Sequence, residues 1–336
     1  CSKSTRLNNY PKASLGFFPT PVAELVHLSS YLGGPQISIK RDDQTGLVLG
    51  GNKTRKLEYI IGDAISQGAD TVITAGAVQS NHCRQTAAAA AMCQLECHLL
   101  LGGEKPRHSN GNLLLDELLG CHIHWTGEQR KGEGIDNIKQ QLISAGRKPY
   151  VIPYGGSSEL GTIAFCEAVN ELKIQSLNSA EYTHIVFASS SGGTQAGLVL
   201  GNKMSAMNSQ IIGIKIDKDE VNQHGLDKQI LMLANNTAEM LNIDDRFSMK
   251  DVILNANFTG AGYGVVGELE KEAISVMARK EGILLDPVYT GRAMGGLIEM
   301  IINREITSKD HVLFWHTGGV PALFAYANDL QTNPLS

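Results

Sequence analysis

Thr71-Val72-Ile73-Thr74-Ala75-Gly76-Ala77-Val78-Gln79-Ser80-Asn81-His82-Cys83-Arg84-Gln85-Thr86 sets a short β-branched run ahead of a polar turn and an alanine-rich stretch. Residues 71–75 have the length and composition of a strand buried on both faces, and 81–92 read as the helix that follows. A second apolar run at 97–101 completes a strand–helix–strand unit, whose two strands must then lie parallel. The alternation continues outward. Strands are predicted at 36–40, 122–125, 149–152, 184–188, 211–216 and 312–316, and helices at 53–67, 158–172, 193–204, 267–281 and 291–304. This order predicts an α/β fold of mostly parallel, twisted sheets flanked by helices.

A chain of 336 residues exceeds what one core usually fills, so two domains are expected. No Pro- or Ser-rich linker, fixed-period repeat or low-complexity tract divides it, which points to interleaved domains. A formal net charge of -5 without a basic footprint argues against nucleic acid and leaves small molecules as partners. No apolar run reaches the roughly 20 residues that span a bilayer, so no membrane segment is expected. Residue 1 is Cys rather than Met, which reads as a trimmed terminus, with lipidation of Cys1 as the alternative. Six cysteines without dense, even spacing fit a reducing cytosol. Cys93, Cys97 and His98, and Cys121, His122 and His124 further on, contain no CxxC pair or finger spacing. They read as small buried thiols and their neighbours, and no metal is expected.

Three helix starts follow loops rich in Gly, Ser or Asn, where free amides and the helix dipole are available to an anion. Lys53 closes the first, Gly50-Gly51-Asn52. At the positive end of a helix its amine should lose its proton more easily, which suits a Schiff base; a solvated surface lysine is the plain alternative. The second loop ends in Ser80-Asn81 and could hold a carboxylate, or Ser80 could simply cap the helix. Ser80 lacks the G-x-S-x-G elbow of a hydrolase nucleophile, and His82 falls on a different helix face. The third loop, Ser190-Ser191-Gly192-Gly193-Thr194, offers consecutive amides and hydroxyls as a phosphate cradle, or forms an ordinary strand-to-helix turn. It has neither a Walker lysine nor G-x-G-x-x-G spacing, which disfavours a nucleotide-dependent α/β enzyme.

Together the segments Gly51-Asn52-Lys53-Thr54-Arg55-Lys56-Leu57-Glu58, Ala77-Val78-Gln79-Ser80-Asn81-His82-Cys83-Arg84-Gln85, Gly262-Tyr263-Gly264-Val265, Leu285-Asp286-Pro287-Val288-Tyr289-Thr290-Gly291 and His316-Thr317-Gly318-Gly319 resemble the D-cysteine desulfhydrase and 1-aminocyclopropane-1-carboxylate (ACC) deaminase family. These are fold-type II enzymes of pyridoxal 5'-phosphate (PLP), related to the tryptophan synthase β subunit. The match runs in order over nearly the whole chain. It implies a large PLP-binding domain from 1–53 with 164–336 and a small inserted domain at 54–163. It also implies roles: Lys53 as Schiff-base lysine and catalytic base, Gln79, Ser80 and Asn81 at the substrate carboxylate, with Asn81 also at the cofactor's phenolic oxygen. Ser190, Ser191, Gly192, Gly193 and Thr194 would take the phosphate, Tyr263 and Tyr289 would flank the substrate, and Thr290 and Thr317 would lie near the pyridine nitrogen. A cytoplasmic homodimer is the family expectation.

Position 290 separates the family's activities. In the deaminase the residue after the matching tyrosine is Glu, whose charge keeps the pyridine nitrogen protonated; Thr290 cannot do this. A weaker electron sink suits a good leaving group such as thiolate, so the expected reaction is α,β-elimination of D-cysteine to pyruvate, hydrogen sulfide and ammonia. The alternatives are ACC deaminase, a cysteate sulfo-lyase or other β-substituted alanine lyase, and a PLP-binding module without turnover. Val266, where proline is usual, and Cys83, where an aliphatic residue is usual, are expected close to the pocket and could alter its leaving-group preference.

Overall fold

The computed structural model describes residues 7, 9–177, 179–218 and 225–331; Cys1 lies outside them. The strands among these residues are β1 (Val22–Glu24), β2 (Gln36–Arg41), β3 (Thr71–Ala77), β4 (Glu96–Gly102), β5 (His122–Trp125), β6 (Pro149–Val151), β7 (His184–Ser189), β8 (Gln210–Lys215), β9 (Ile253–Asn255) and β10 (His311–His316). They form two sheets, ordered β1-β2-β10-β7-β8-β9 and β5-β4-β3-β6. Every pairing is parallel except β1 with β2. The eight predicted strands and six predicted helices are all present, with ends displaced by three residues at most. β1 and β9 were not foreseen. Each is three residues long and lies at a sheet edge, too short to show a period of two.

The larger sheet is covered on both faces, which explains its unbroken apolar runs. Along β10, Val312 and Phe314 point to one side, against Ala273, Met277 and Leu297 of helices Glu268–Glu281 and Thr290–Ile302. Leu313 and Trp315 point to the other, against Phe165, Val169 and Leu198 of helices Glu159–Gln175 and Gly193–Met204. Successive strand side chains alternate in direction, so one strand feeds two cores. The smaller sheet repeats the pattern. Val72, Leu99 and Leu101 face Leu57, Ile60 and Ala87 on helices Lys53–Ser66 and Asn81–Met92, whereas Ile73, Ala75 and Leu100 face Leu142 of helix Ile135–Ser144.

A buried ionic network anchors the first turn of helix Lys53–Ser66 to the larger sheet. Arg55 donates from Nε to Asp42 Oδ2 and from Nη2 to Asp42 Oδ1, both at 2.8 Å. Its Nη1 reaches Glu171 Oε2 at 3.0 Å, and Trp315 Nε1 donates to Asp42 Oδ2 at 2.8 Å. Burial alone would raise the Asp42 carboxyl, but the Arg55 guanidinium and Lys40 ammonium hold it below its ordinary range. The charge is paired and its lone pairs are filled, the condition under which a buried ion is tolerated.

Candidate active site

A cavity opens where the chain leaves the C-terminal ends of β3, β7 and β10. Ligands of parallel α/β sheets sit in such a crevice, where helix N-termini converge. Of the residues singled out by sequence, the structure brings Lys53, Ser80, Asn81, Ser190, Ser191, Gly192, Thr194, Tyr289 and Thr317 to its wall. Gln79, Gly193, Tyr263 and Thr290 do not line it.

Lys53 is the first residue of its helix, and Nζ donates to Asn52 Oδ1 at 3.3 Å. Burial, then the nearby Arg84 guanidinium, draws its pKa down from 10.5 to about 8. The helix dipole invoked from sequence is not the leading cause. Asn52 fastens this corner: its Nδ2 donates to Thr194 Oγ1 at 3.1 Å and its backbone N–H to the Thr317 carbonyl at 3.0 Å. Ahead of it Leu47, Val48 and Leu49 are consecutively left-handed, with φ of 48°, 53° and 67°. Such backbone persists only when over-determined by its surroundings, and Arg84 supplies the clamp by donating to the carbonyls of Val48 and Gly50. Gly50 itself has φ +70°, and a Cβ there would lie 2.0 Å from the Asp43 carbonyl oxygen.

Ser80 caps helix Asn81–Met92, its Oγ accepting from the Cys83 N–H at 3.1 Å. Capping uses the oxygen's lone pair and leaves the hydroxyl proton free for an anion. The two readings of Ser80 are therefore compatible. Asn81 Oδ1 accepts from Asn112 Nδ2 at 2.9 Å, which orients its amide. Gln79 is spent on structure: Nε2 donates to the Asn110 carbonyl and Oε1 accepts from the Asn112 N–H, both at 2.9 Å. His82, set aside on helix periodicity, shares the cavity with Ser80, because Ser80 is a cap with extended backbone rather than a helical residue.

On the opposite wall the Gly193 N–H donates to Ser157 Oγ at 3.0 Å, and Ser157 Oγ donates to Ser191 Oγ at 2.7 Å. Gly192, φ +97°, turns the chain into helix Gly193–Met204. Lys56, fully buried, donates from Nζ to the Gly155 carbonyl at 3.1 Å and would stand 3.2 Å from a Cβ on Gly193. Tyr289 Oη lies 2.5 Å from Tyr263 Oη, so Tyr263 backs Tyr289 from behind. Burial pushes both phenols well above their ordinary range, which keeps them protonated. Thr290 is turned away from the cavity. Its Oγ1 donates to Asp286 Oδ1 at 2.7 Å and accepts from the Asp286 N–H at 2.8 Å, so that of Thr290 and Thr317 only Thr317 is on the wall. Cys83 sits in the small-sheet core, and neither it nor Val266 lines the cavity.

A family model described as pyridoxal-phosphate dependent enzyme matches residues 13–318. The chain belongs to this family. D-cysteine desulfhydrase of Klebsiella pneumoniae (strain 342) is 41% identical over 326 residues, covering 95% of this chain and 97% of that protein. D-cysteine desulfhydrase of Salmonella choleraesuis (strain SC-B67) is 40% identical over 328 residues, covering 95% and 97%. Among solved structures, an ACC deaminase homologue superposes with TM-score 0.89 and 36% identity, covering 98% of each chain. O-ureido-L-serine synthase, 12% identical with TM-score 0.65 over 98% and 95%, shares the fold.

The cavity fits the family's cofactor. Ser189 Oγ, Gln195 Oε1 and His82 Nδ1 are buried on or against its wall without a hydrogen-bond partner, an arrangement native proteins keep where a ligand completes the set. Lys53 shares the wall with Ser190, Ser191, Gly192 and Thr194 of the strand-to-helix loop. His82, Asn52, Tyr154, Gln195 and Lys56 were not singled out as site residues from sequence; Asn52 and Lys56, inside the Lys53 segment, and His82, inside the Ser80 segment, carried a local signal. Because the neutral amine is the nucleophile, capture of PLP by cofactor-free protein should accelerate with pH and level off above about pH 8, the lowered Lys53 pKa, rather than near 10.5. Stopped-flow absorbance across pH 6–10.5 reads the midpoint, and a midpoint above 10 would refute the lowering.

Proposed function

We propose that the enzyme converts D-cysteine and water to pyruvate, hydrogen sulfide and ammonia by PLP-dependent α,β-elimination. The observation that carries this reading is the neutral-to-cationic character of the cavity: no Asp or Glu is among its described lining residues. With no carboxylate to fix a proton on the pyridine nitrogen, the site favours a substrate whose leaving group departs readily, and a thiol with parent pKa of about 8.5 is one. The names carried by relatives at 40–41% identity support the same choice.

PLP, when bound, supplies a conjugated ring that takes up the electron pair released at Cα. Lys53 Nζ would hold the cofactor and take the proton from the substrate's Cα. The Ser80 hydroxyl and the first amides of helix Asn81–Met92 orient the substrate carboxylate, while the 190–194 loop and Lys56 would hold the phosphate. Thr317 would serve the ring nitrogen. Tyr289, kept protonated by burial and backed by Tyr263, delivers a proton to the departing sulfur. Tyr289→Phe should therefore lower kcat on D-cysteine by about 10²-fold, and by much less on β-chloroalanine, whose chloride needs no proton. Equal losses on both substrates would remove Tyr289 from that role.

We assign 54–163 to the small domain and 1–53 with 164–336 to the large one, a division supported by β3 to β6 all falling inside 54–163. Among the described residues five cysteines are free, which supports a reducing, cytoplasmic setting, and the family resemblance supports a homodimer. The substrate assignment is tested by kcat/KM for D-cysteine, L-cysteine, cysteate and ACC. D-cysteine should rank first with pyruvate and sulfide formed in equal amounts; a higher value for ACC or cysteate would replace the assignment.

A further inference from the structure

Glu96, His98, His122 and His124 lie on one face of the small sheet. Glu96 and His98 are two apart on β4, and the parallel register sets His98 beside His122 and Leu100 beside His124. Glu96 opens β4, whereas the cavity loop leaves β3 at Ala77, which pairs with Gly102. At about 3.3 Å per residue, Glu96 lies about 20 Å and the His98–His122 pair about 13 Å along the strands from that loop.

His98 Nε2 lies 2.8 Å and His122 Nε2 3.6 Å from the same oxygen, Glu96 Oε1, and the three ligand atoms fall within 4.8 Å of one another. The His98 and His122 rings stack at 4.6 Å. A separation of 3.6 Å is long for a hydrogen bond, but tetrahedral ligands at about 2.0–2.1 Å from Zn²⁺ stand about 3.3 Å apart. The surroundings are those of a prepared site. Arg147 Nη2 holds the other carboxylate oxygen, Glu96 Oε2, at 2.5 Å. His98 Nδ1 lies 2.9 Å from His124 Nε2, an outer hydrogen bond of the kind that fixes the tautomer of a metal-bound imidazole. The His122 side chain is 58% exposed, which gives an ion an entry path.

We propose that Glu96 Oε1, His98 Nε2 and His122 Nε2 bind a divalent transition-metal ion of the Zn²⁺ class, with water completing its shell. Two imidazoles and a carboxylate suit this borderline ion better than a hard oxygen-seeking one. On binding, His98 carries its proton on Nδ1 and donates it to His124 Nε2, freeing Nε2 for the metal. No step of the elimination uses these residues.

Equilibrium dialysis of the PLP-loaded enzyme against Zn²⁺, with metal counted per chain, tests the site. The parent chain should hold one more Zn²⁺ than His122→Ala or Glu96→Gln, with affinity for that ion reduced about tenfold or more in each variant, and His124→Ala should weaken it about 10–100-fold. Pyruvate release by His122→Ala should equal that of the parent chain, which also reports that the variant folds. Equal Zn²⁺ uptake by the parent chain and both ligand variants, whether from thiols elsewhere or from no site at all, would overturn the proposal.

Discussion

Lys53→Ala protein should release pyruvate from D-cysteine about 10²–10⁴-fold more slowly than the parent chain, the range associated with loss of a positioned acid–base group. The expected loss is large because in the proposed mechanism Lys53 serves twice, as the cofactor's anchor and as the base at Cα, and no second lysine is among the cavity's described lining residues. Lys56 is fully buried outside the cavity lining, with its Nζ held on the Gly155 carbonyl. The variant should still fold, since Lys53 makes one long hydrogen bond, to Asn52. Added ethylamine should restore part of the rate by standing in for the missing amine. A normal rate of pyruvate release without lysine at position 53 would refute the assignment.

Arg55→Met should be the most damaging change away from the cavity. It removes the guanidinium that meets Asp42 twice and Glu171 twice, and leaves the Asp42 carboxylate buried beside Trp315. Breaking one side of a buried pair costs about 3–5 kcal/mol because the partner's charge stays buried. Urea denaturation should show the loss as a lowered midpoint. The Asp42→Asn, Arg55→Met double variant should recover part of it, since the stranded charge is then gone. The pH dependence has a definite sign. Asp42 has its folded pKa lowered, so its contribution to stability is present above the unfolded carboxylate value and is lost as pH falls through the folded one. A midpoint unchanged in Arg55→Met would mean that the network does not hold this helix in place.

The strand–helix alternation was legible because buried parallel strands carry continuous runs of apolar and β-branched residues, and 71–75, 185–188 and 312–315 have them. Short edges did not show: β9 is three residues of Ile-Leu-Asn, and β1 pairs only with β2. Loop chemistry showed where backbone was the functional group. Ser190, Ser191 and Gly192, and the Ser80 turn, reach the cavity because a strand end and a helix start fix their position. Side-chain direction did not show. Gln79 and Thr290 stand inside the matching segments, yet one is spent on Asn110 and Asn112 and the other on Asp286. Thr290 in place of a glutamate matters only as an absence of charge, because Thr317, not Thr290, is at the wall. His82 shows the opposite error, since helix periodicity says nothing about a cap residue two positions ahead. The His98 and His122 pairing depends on strand register, which no local spacing encodes.

The central claim is that Lys53 carries the cofactor. Borohydride reduction of the yellow holoenzyme, followed by digestion and mass spectrometry, should place one phosphopyridoxyl group per chain on the peptide containing Lys53. A label on Lys56 or another lysine, or a chain that stays unlabelled while releasing pyruvate at full rate, would contradict it.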